Sequence, residues 1–213
     1  MLYMQPVDSG DGEAKRSFIE EARRGQIVRA AVETIAEEGY ARASFVRIAA
    51  RASVSPGLIT YHFRTKERLL RQVLEYVNAR LDRAMEGGPE PLAGFEDALV
   101  RIVTGHVMHC SRHPQEVAVR QEISGADVPA SVREWIARGQ DAGRAELVGF
   151  LTEGQGHGEF RAFDPEVFTD ALFAALNAVP GRLRRRPAEE HEDYARELAR
   201  LFAAAATGGG PSG

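Results

Sequence analysis

Residues 55–66, SPGLITYHFRTK, combine side chains that can grip a polyanion with side chains that can read it. Tyr61 and His62 can donate hydrogen bonds to phosphate oxygens, and Lys66 adds a positive charge beside them; such contacts set register without reading sequence. Leu58 and Thr60 offer methyl groups to a thymine methyl, and Thr60 can also hydrogen-bond a base edge. Gly57 removes a side chain where a backbone must come close. No Arg, Asn or Gln lies between Ser55 and Phe63. Bidentate base recognition is therefore missing, and part of any specificity must come from apolar contacts and DNA shape.

These residues need a helix to hold them. Ile59 and Phe63 are four apart and point inward, which turns Gly57 and Tyr61 outward and leaves Leu58 and Thr60 on the flanks. Ser55 supplies an N-cap, and Pro56 takes the first helical position, where its missing N–H costs nothing. Upstream, Ser44 caps another short helix with Phe45, Ile48 and Ala49 on one stripe. Ala52-Ser53-Val54 is small enough for a tight turn between the two. The pair has the pattern of a helix-turn-helix whose second helix enters the major groove. The expected DNA-facing set is Ser44, Arg47, Ser55, Pro56, Gly57, Leu58, Thr60, Tyr61, His62 and Lys66. Arg23, Arg24 and Arg64 are further phosphate candidates.

Gly39-Tyr40, Ser44 to Ala49, Val54 to Gly57, Tyr61-His62-Phe63 and Lys66-Glu67 with Leu69-Leu70 resemble the N-terminal domain of TetR-type (tetracycline-repressor-like) bacterial regulators. Pro56 stands where Lys is frequent in that pattern, and Thr60 where an aromatic is frequent. The resemblance implies an all-α protein: a three-helix DNA-binding domain followed by a helical ligand-binding and dimerisation domain. It also implies a homodimer that binds a palindromic operator on double-stranded DNA, most often as a repressor, and lets go when a small-molecule effector binds. A constitutive DNA binder of the same fold is the alternative.

Charge is distributed to match. The chain carries 27 Lys+Arg against 31 Asp+Glu, but residues 15–80 hold 13 basic and 7 acidic residues, while residues 81–213 hold 14 and 21. A basic N-terminal part on an acidic remainder places one end on DNA. The single cysteine rules out an intrachain disulfide and fits a reducing cytoplasm. There is no secretory leader pattern and no apolar run of membrane-spanning length, so the expected location is cytoplasmic, on the nucleoid when DNA-bound. No nucleophile elbow, phosphate loop or paired carboxylates are found; neither enzyme activity nor a cofactor is expected.

Along the chain the expected order is a disordered leader (1–14), a DNA-binding domain (15–75), a helical effector and dimerisation domain (76–206) and a disordered tail (207–213). The first helix should begin near Arg16 or Phe18 and stop at Gly39. A fourth should run over about 66–85, and five more over about 92–111, 114–124, 130–154, 165–179 and 188–206, with a glycine-rich loop over 154–164. The candidate effector-lining residues are Phe95, His106, Met108, Cys110, Gln121, Trp135 and Phe150. The stripes Phe168, Leu172, Leu176 and Val179, and Tyr194, Leu198, Leu201 and Phe202, are candidates for the dimer face. The basic run Arg182 to Pro187 reads as a solvated loop, with contact to DNA as the alternative. His106, Cys110 and His113, at i, i+4 and i+7, also have spacing suited to zinc or copper and would serve a metal-responsive variant of the same regulator.

Overall fold

A computed structural model describes residues 10–88 and 90–208, with side chains from Phe18 onward. Every regular element among the described residues is helical, in two compact units that meet between Val73 and Leu74. The first unit holds α1 (Gly10–Glu38), α2 (Phe45–Ala52), α3 (Pro56–Phe63) and the start of α4 (Lys66–Glu86). Helix α1 begins before the expected Arg16. Residues 10–14, expected in a disordered leader, are therefore helical; their run contains Glu and Ala, which favour helix without an apolar stripe to announce it. Residues 1–9 and 209–213, the rest of the expected leader and tail, lie outside the described residues. Helix α1 stops where Gly39 takes φ +84° and its N–H bonds the Ile35 carbonyl at 2.9 Å. Its Ile27, Ala30, Ala31 and Ile35 join Ile48, Ala49, Ile59 and Phe63 as the buried residues of this unit, with α2 packed on α1 and α3 on α2.

The second unit continues α4 and adds α5 (Phe95–Arg112), α6 (Pro114–Gly125), α7 (Ala130–Gly156), α8 (Pro165–Leu183), a 3-10 turn (Ala188–Glu190) and α9 (His191–Thr207). Helix α5 packs against α8 and α9. Leu99, Val103, Val107, Leu151, Leu172 and Val179 are fully enclosed there. Burying one such side chain contributes about 1.5–3 kcal/mol. The Asp164 carboxylate caps α8, accepting from the backbone N–H of Glu166 at 2.9 Å and of Val167 at 3.3 Å.

Helices α7 and α8 outrun their expected ends furthest. Helix α7 continues to Gly156, so the glycine-rich stretch is only partly loop. Gly154 is helical because the Phe160 ring folds back onto it: a Cβ there would sit 2.3 Å from a ring carbon. Gly158, at φ +75°, makes the actual reversal. Helix α8 passes through Pro180 instead of ending at Val179. A proline inside a helix leaves the carbonyl four residues back without its N–H partner. That carbonyl belongs to Leu176, and the His106 ring of α5 bonds it.

Candidate DNA-reading surface and candidate effector residues

Both short helices of the first unit are capped as their sequences require. The backbone N–H of Arg47 donates to Ser44 Oγ at 3.3 Å, and that of Leu58 donates to Ser55 Oγ at 3.2 Å. The turn between them closes through Ser53 in the left-handed region (φ 53°), with the Val54 N–H bonded to the Ala49 carbonyl at 3.0 Å. Burial then divides α3 into two faces. Ile59 is 0% exposed and Phe63 2%, whereas Tyr61 is 68% exposed. Ser55, Pro56, Gly57 and Thr60 are also exposed; Leu58 and His62 are half-buried. A Cβ added at Gly57 would meet only Ser55 Oγ, at 3.9 Å, so nothing inside the protein requires glycine there.

The flanking polar residues are held by neighbours. Thr60 Oγ1 donates to the Pro56 carbonyl at 3.2 Å. Lys66 lies 4.1 Å from the centre of the Tyr40 ring and donates from Nζ to the Tyr40 carbonyl at 2.6 Å; partial burial pulls its pKa down. Arg47 pairs with Glu38, and Arg51 pairs with Glu37 and, at 3.6 Å, with Glu33. Arg24 lies over the Phe63 ring and bonds Gln72 at 2.9 Å, while Arg23 bonds Gln26 at 2.9 Å. Gln26 also donates to the Ala52 carbonyl at 2.7 Å, a cross-link from α1 to the end of α2 that no sequence signal marked. Arg64 turns the chain from α3 to α4 at φ 60°, ψ −47°, and the Thr65 N–H reaches the Phe63 carbonyl at 2.6 Å. This is the rare γ-turn form, which costs a non-glycine residue strain.

In the second unit the candidate effector residues separate. Phe95 and Phe150 come together, ring centres 5.5 Å apart, and Phe160 packs on both. Cys110 and His106 are buried. Burial raises the Cys110 thiol to about 11 and lowers His106 to about 4, so both are neutral at pH 7. Met108 and Trp135 are half-buried. Gln121 is exposed on α6 and does not join the interior, which corrects its place in the effector-lining set.

The metal spacing does not become a metal site. His106 turns to the Leu176 backbone, Cys110 enters the apolar core, and His113 lies beside Arg80. No group of three His, Cys, Asp or Glu among the described residues is arranged to hold an ion. Instead His109, His113 and Arg80 surround Glu116, a buried carboxylate on α6. Arg80 Nε donates to Glu116 Oε1 at 2.6 Å; His109 Nε2 faces Glu116 Oε2 at 3.3 Å but out of line for a hydrogen bond. Burial lowers His109 to about 4. This cluster was not legible in sequence, because Glu116 has the appearance of an ordinary first-turn glutamate.

The dimer candidates also divide. Phe168, Leu172, Leu176 and Phe202 are buried inside their own chain, where α8 and α9 close the core on α5, and this corrects their assignment to a subunit face. Leu201 is 64% exposed, and Tyr194 and Leu198 are half-buried.

A family model of bacterial regulatory proteins, tetR family, matches residues 27–73, which span most of α1 through the start of α4. The chain is 35% identical over 86 residues to the HTH-type transcriptional regulator BetI of Cronobacter sakazakii, covering 39% of this chain and 43% of that one. It is 28% identical over 154 residues to the fatty acid metabolism regulator protein of Bacillus subtilis, covering 71% and 78%. The match thus spans less than half the length of the first curated relative. Among solved structures, the transcriptional regulator FadR from Bacillus subtilis in complex with stearoyl-CoA superposes with a TM-score of 0.71 at 24% identity, over 84% of this chain and 97% of that one. Residues 27–73 are thus a DNA-binding domain of the tetR family type, and the chain is similar to transcriptional regulators that carry it. No helix among the described residues is long and apolar enough to cross a membrane.

Proposed function

We propose that this protein is a dimeric repressor that places α3 in the major groove of a palindromic operator and is released by a small-molecule effector held in its C-terminal helical unit. The observation that carries the DNA reading is the two-faced α3: Ile59 and Phe63 anchor it, and Gly57, Thr60 and Tyr61 are left to solvent. Gly57 permits close approach, Tyr61 and His62 donate to phosphates, and Leu58 and Thr60 present methyl groups to bases. Ser44, Arg47, Ser55 and Pro56 border the same surface, and Lys66 adds charge at its edge. Partners are therefore duplex DNA, an effector and a second copy of the chain.

Two exposed stripes support the dimer. Val167, Ala171, Ala174 and Ala178 fall on one side of α8, and Tyr194, Leu198, Leu201 and Ala205 on one side of α9, all exposed or half-buried. Small residues let helices approach closely. Two recognition helices must sit about 34–36 Å apart to meet successive major grooves, so an effector that changes the spacing releases the DNA. It acts only through its difference in affinity for the two conformers; moving from 1:99 to 99:1 takes about 5.5 kcal/mol. The aromatic group Phe95, Phe150 and Phe160 supports an effector with an apolar part, as does the fold shared with a regulator solved with stearoyl-CoA. An anisotropy titration of duplex DNA tests the reading. Affinity should fall steeply with salt and weaken in Tyr61→Ala without loss of helicity; salt-independent binding, or an unaffected Tyr61→Ala, contradicts it.

A further inference from the structure

Helices α4 and α5 of the second unit approach closely and border a cleft. They come closest to clashing at Gly105, where a Cβ would lie 2.0 Å from the Ala84 carbonyl oxygen. The cleft, of about 650 Å³, is lined by residues of both helices and of the segment after α4. Its charge is lopsided. Arg80, Arg83, Arg101 and Arg112 face it, against Glu90 and Asp97.

The four arginines are of two kinds. Arg80 and Arg101 are held in place. Glu116 fixes Arg80 at 2.6 Å; Arg101 Nη2 lies 3.1 Å from the Asp97 carboxylate and donates to the Pro91 carbonyl at 3.2 Å, while its Nη1 donates to the Glu90 carbonyl at 2.8 Å. Arg83 and Arg112 are exposed, and among the described residues neither has a carboxylate within ion-pairing distance. Arg101 stands eleven residues from Arg112 on α5, about 16 Å along the helix axis, and is held at the Glu90–Pro91 end of the cleft. Arg80, Arg83 and Arg112, one oriented and two uncommitted, on two helices, suit an anion with several oxygens in different directions. A phosphoryl group has that shape, and arginine forks bind it with charge-assisted hydrogen bonds. His109 lines the same cleft, neutral and buried, with its Nε2 unbonded.

We propose that the α4–α5 cleft is a binding site for a phosphoryl-bearing small molecule, gripped by Arg83 and Arg112 and aligned by Arg80. It does not rest on the DNA-release mechanism, because binding is read without DNA. The test is calorimetric titration of the full chain with inorganic pyrophosphate, in parallel with acetate at matched ionic strength and with vesicles of phosphatidylglycerol. Saturable binding of pyrophosphate and none of acetate is expected. Arg83→Gln/Arg112→Gln should weaken it about tenfold or more, and Glu90→Gln should tighten it. Circular dichroism of each variant confirms that the helices persist. Absence of saturable pyrophosphate binding overturns the proposal, as does unchanged affinity in the double variant. Binding to the vesicles but not to pyrophosphate assigns the cleft to a lipid surface and overturns it too.

Discussion

Substitution of Gly57 should move local stability and DNA affinity in opposite directions. The position is helical, its space is open, and it lies on the exposed side of α3. A glycine in a helix interior costs up to about 1 kcal/mol relative to alanine. Near the N-terminus of an eight-residue helix about half of that applies, so Gly57→Ala should stabilise α3 by roughly 0.5 kcal/mol, about a twofold gain in amide-exchange protection at Ile59 and Phe63. On the DNA side the sign reverses. A side chain at position 57 holds the helix away from the groove and lengthens the phosphate contacts assigned to Tyr61 and His62. A hydrogen bond of this kind is worth about 0.5–1.5 kcal/mol net. Losing both should cost Gly57→Leu about 1–3 kcal/mol, or roughly 5- to 150-fold in Kd at fixed salt, with a smaller loss in Gly57→Ala. Fluorescence anisotropy on a selected duplex, with hydrogen exchange on the same preparations, reads both effects. A Gly57→Leu protein that binds with unaltered Kd refutes the placement of this face against DNA.

Three further outcomes follow from the second unit. The carbonyl freed by Pro180 makes His106 and Pro180 an energetic pair: His106→Leu should destabilise by about 1–3 kcal/mol, and by about 1 kcal/mol less in a Pro180→Ala background, where residue 180 regains an N–H. Urea unfolding of the four proteins measures this, and additivity within about 0.5 kcal/mol would show no such coupling. Burial lowers both His106 and His109 to about 4. Between pH 6.5 and 4 the unfolded chain therefore binds protons that the folded chain refuses, and stability should decline as pH falls through that window, by up to about 1.4 kcal/mol per pH unit for each histidine. His106→Leu should flatten the profile measured by thermal melts, and an equally steep profile in that variant would assign the slope elsewhere. Gly105→Ala places a methyl group against the α4 backbone, which cannot yield as a side-chain tip would. A loss of about 1–3 kcal/mol is expected in the same assay, and a wild-type melting temperature would mean that the helices are not in contact there.

The sequence announced elements wherever a local device marked them. Ser44, Ser55 and Asp164 each precede a helix and each cap it; Gly39 ends α1; Ile59 and Phe63, four apart, define the inner side of α3. What it concealed depends on partners far away in the chain. Gly154 ordinarily signals a break, but Phe160 covers it and the helix continues. Pro180 ordinarily ends a helix, but His106, on another helix, takes over the stranded carbonyl. The stripe Phe168, Leu172 and Leu176 has the same periodicity whether it faces its own core or a second subunit, and only the packing of α5 decides in favour of the core. The Glu116 cluster joins α4, α5 and α6, and no spacing along one helix reveals it.

The central assignment, an α3 surface presented twice to a duplex, is tested most directly by selecting bound sequences from a random DNA pool with the purified chain and mapping the protected backbone. Two inverted half-sites with centres about one helical turn, or a whole multiple of it, apart are the predicted result, with protection lost in Gly57→Leu. Recovery of unrelated sequences, of a single half-site, or of the same palindrome by the Gly57→Leu protein would contradict it.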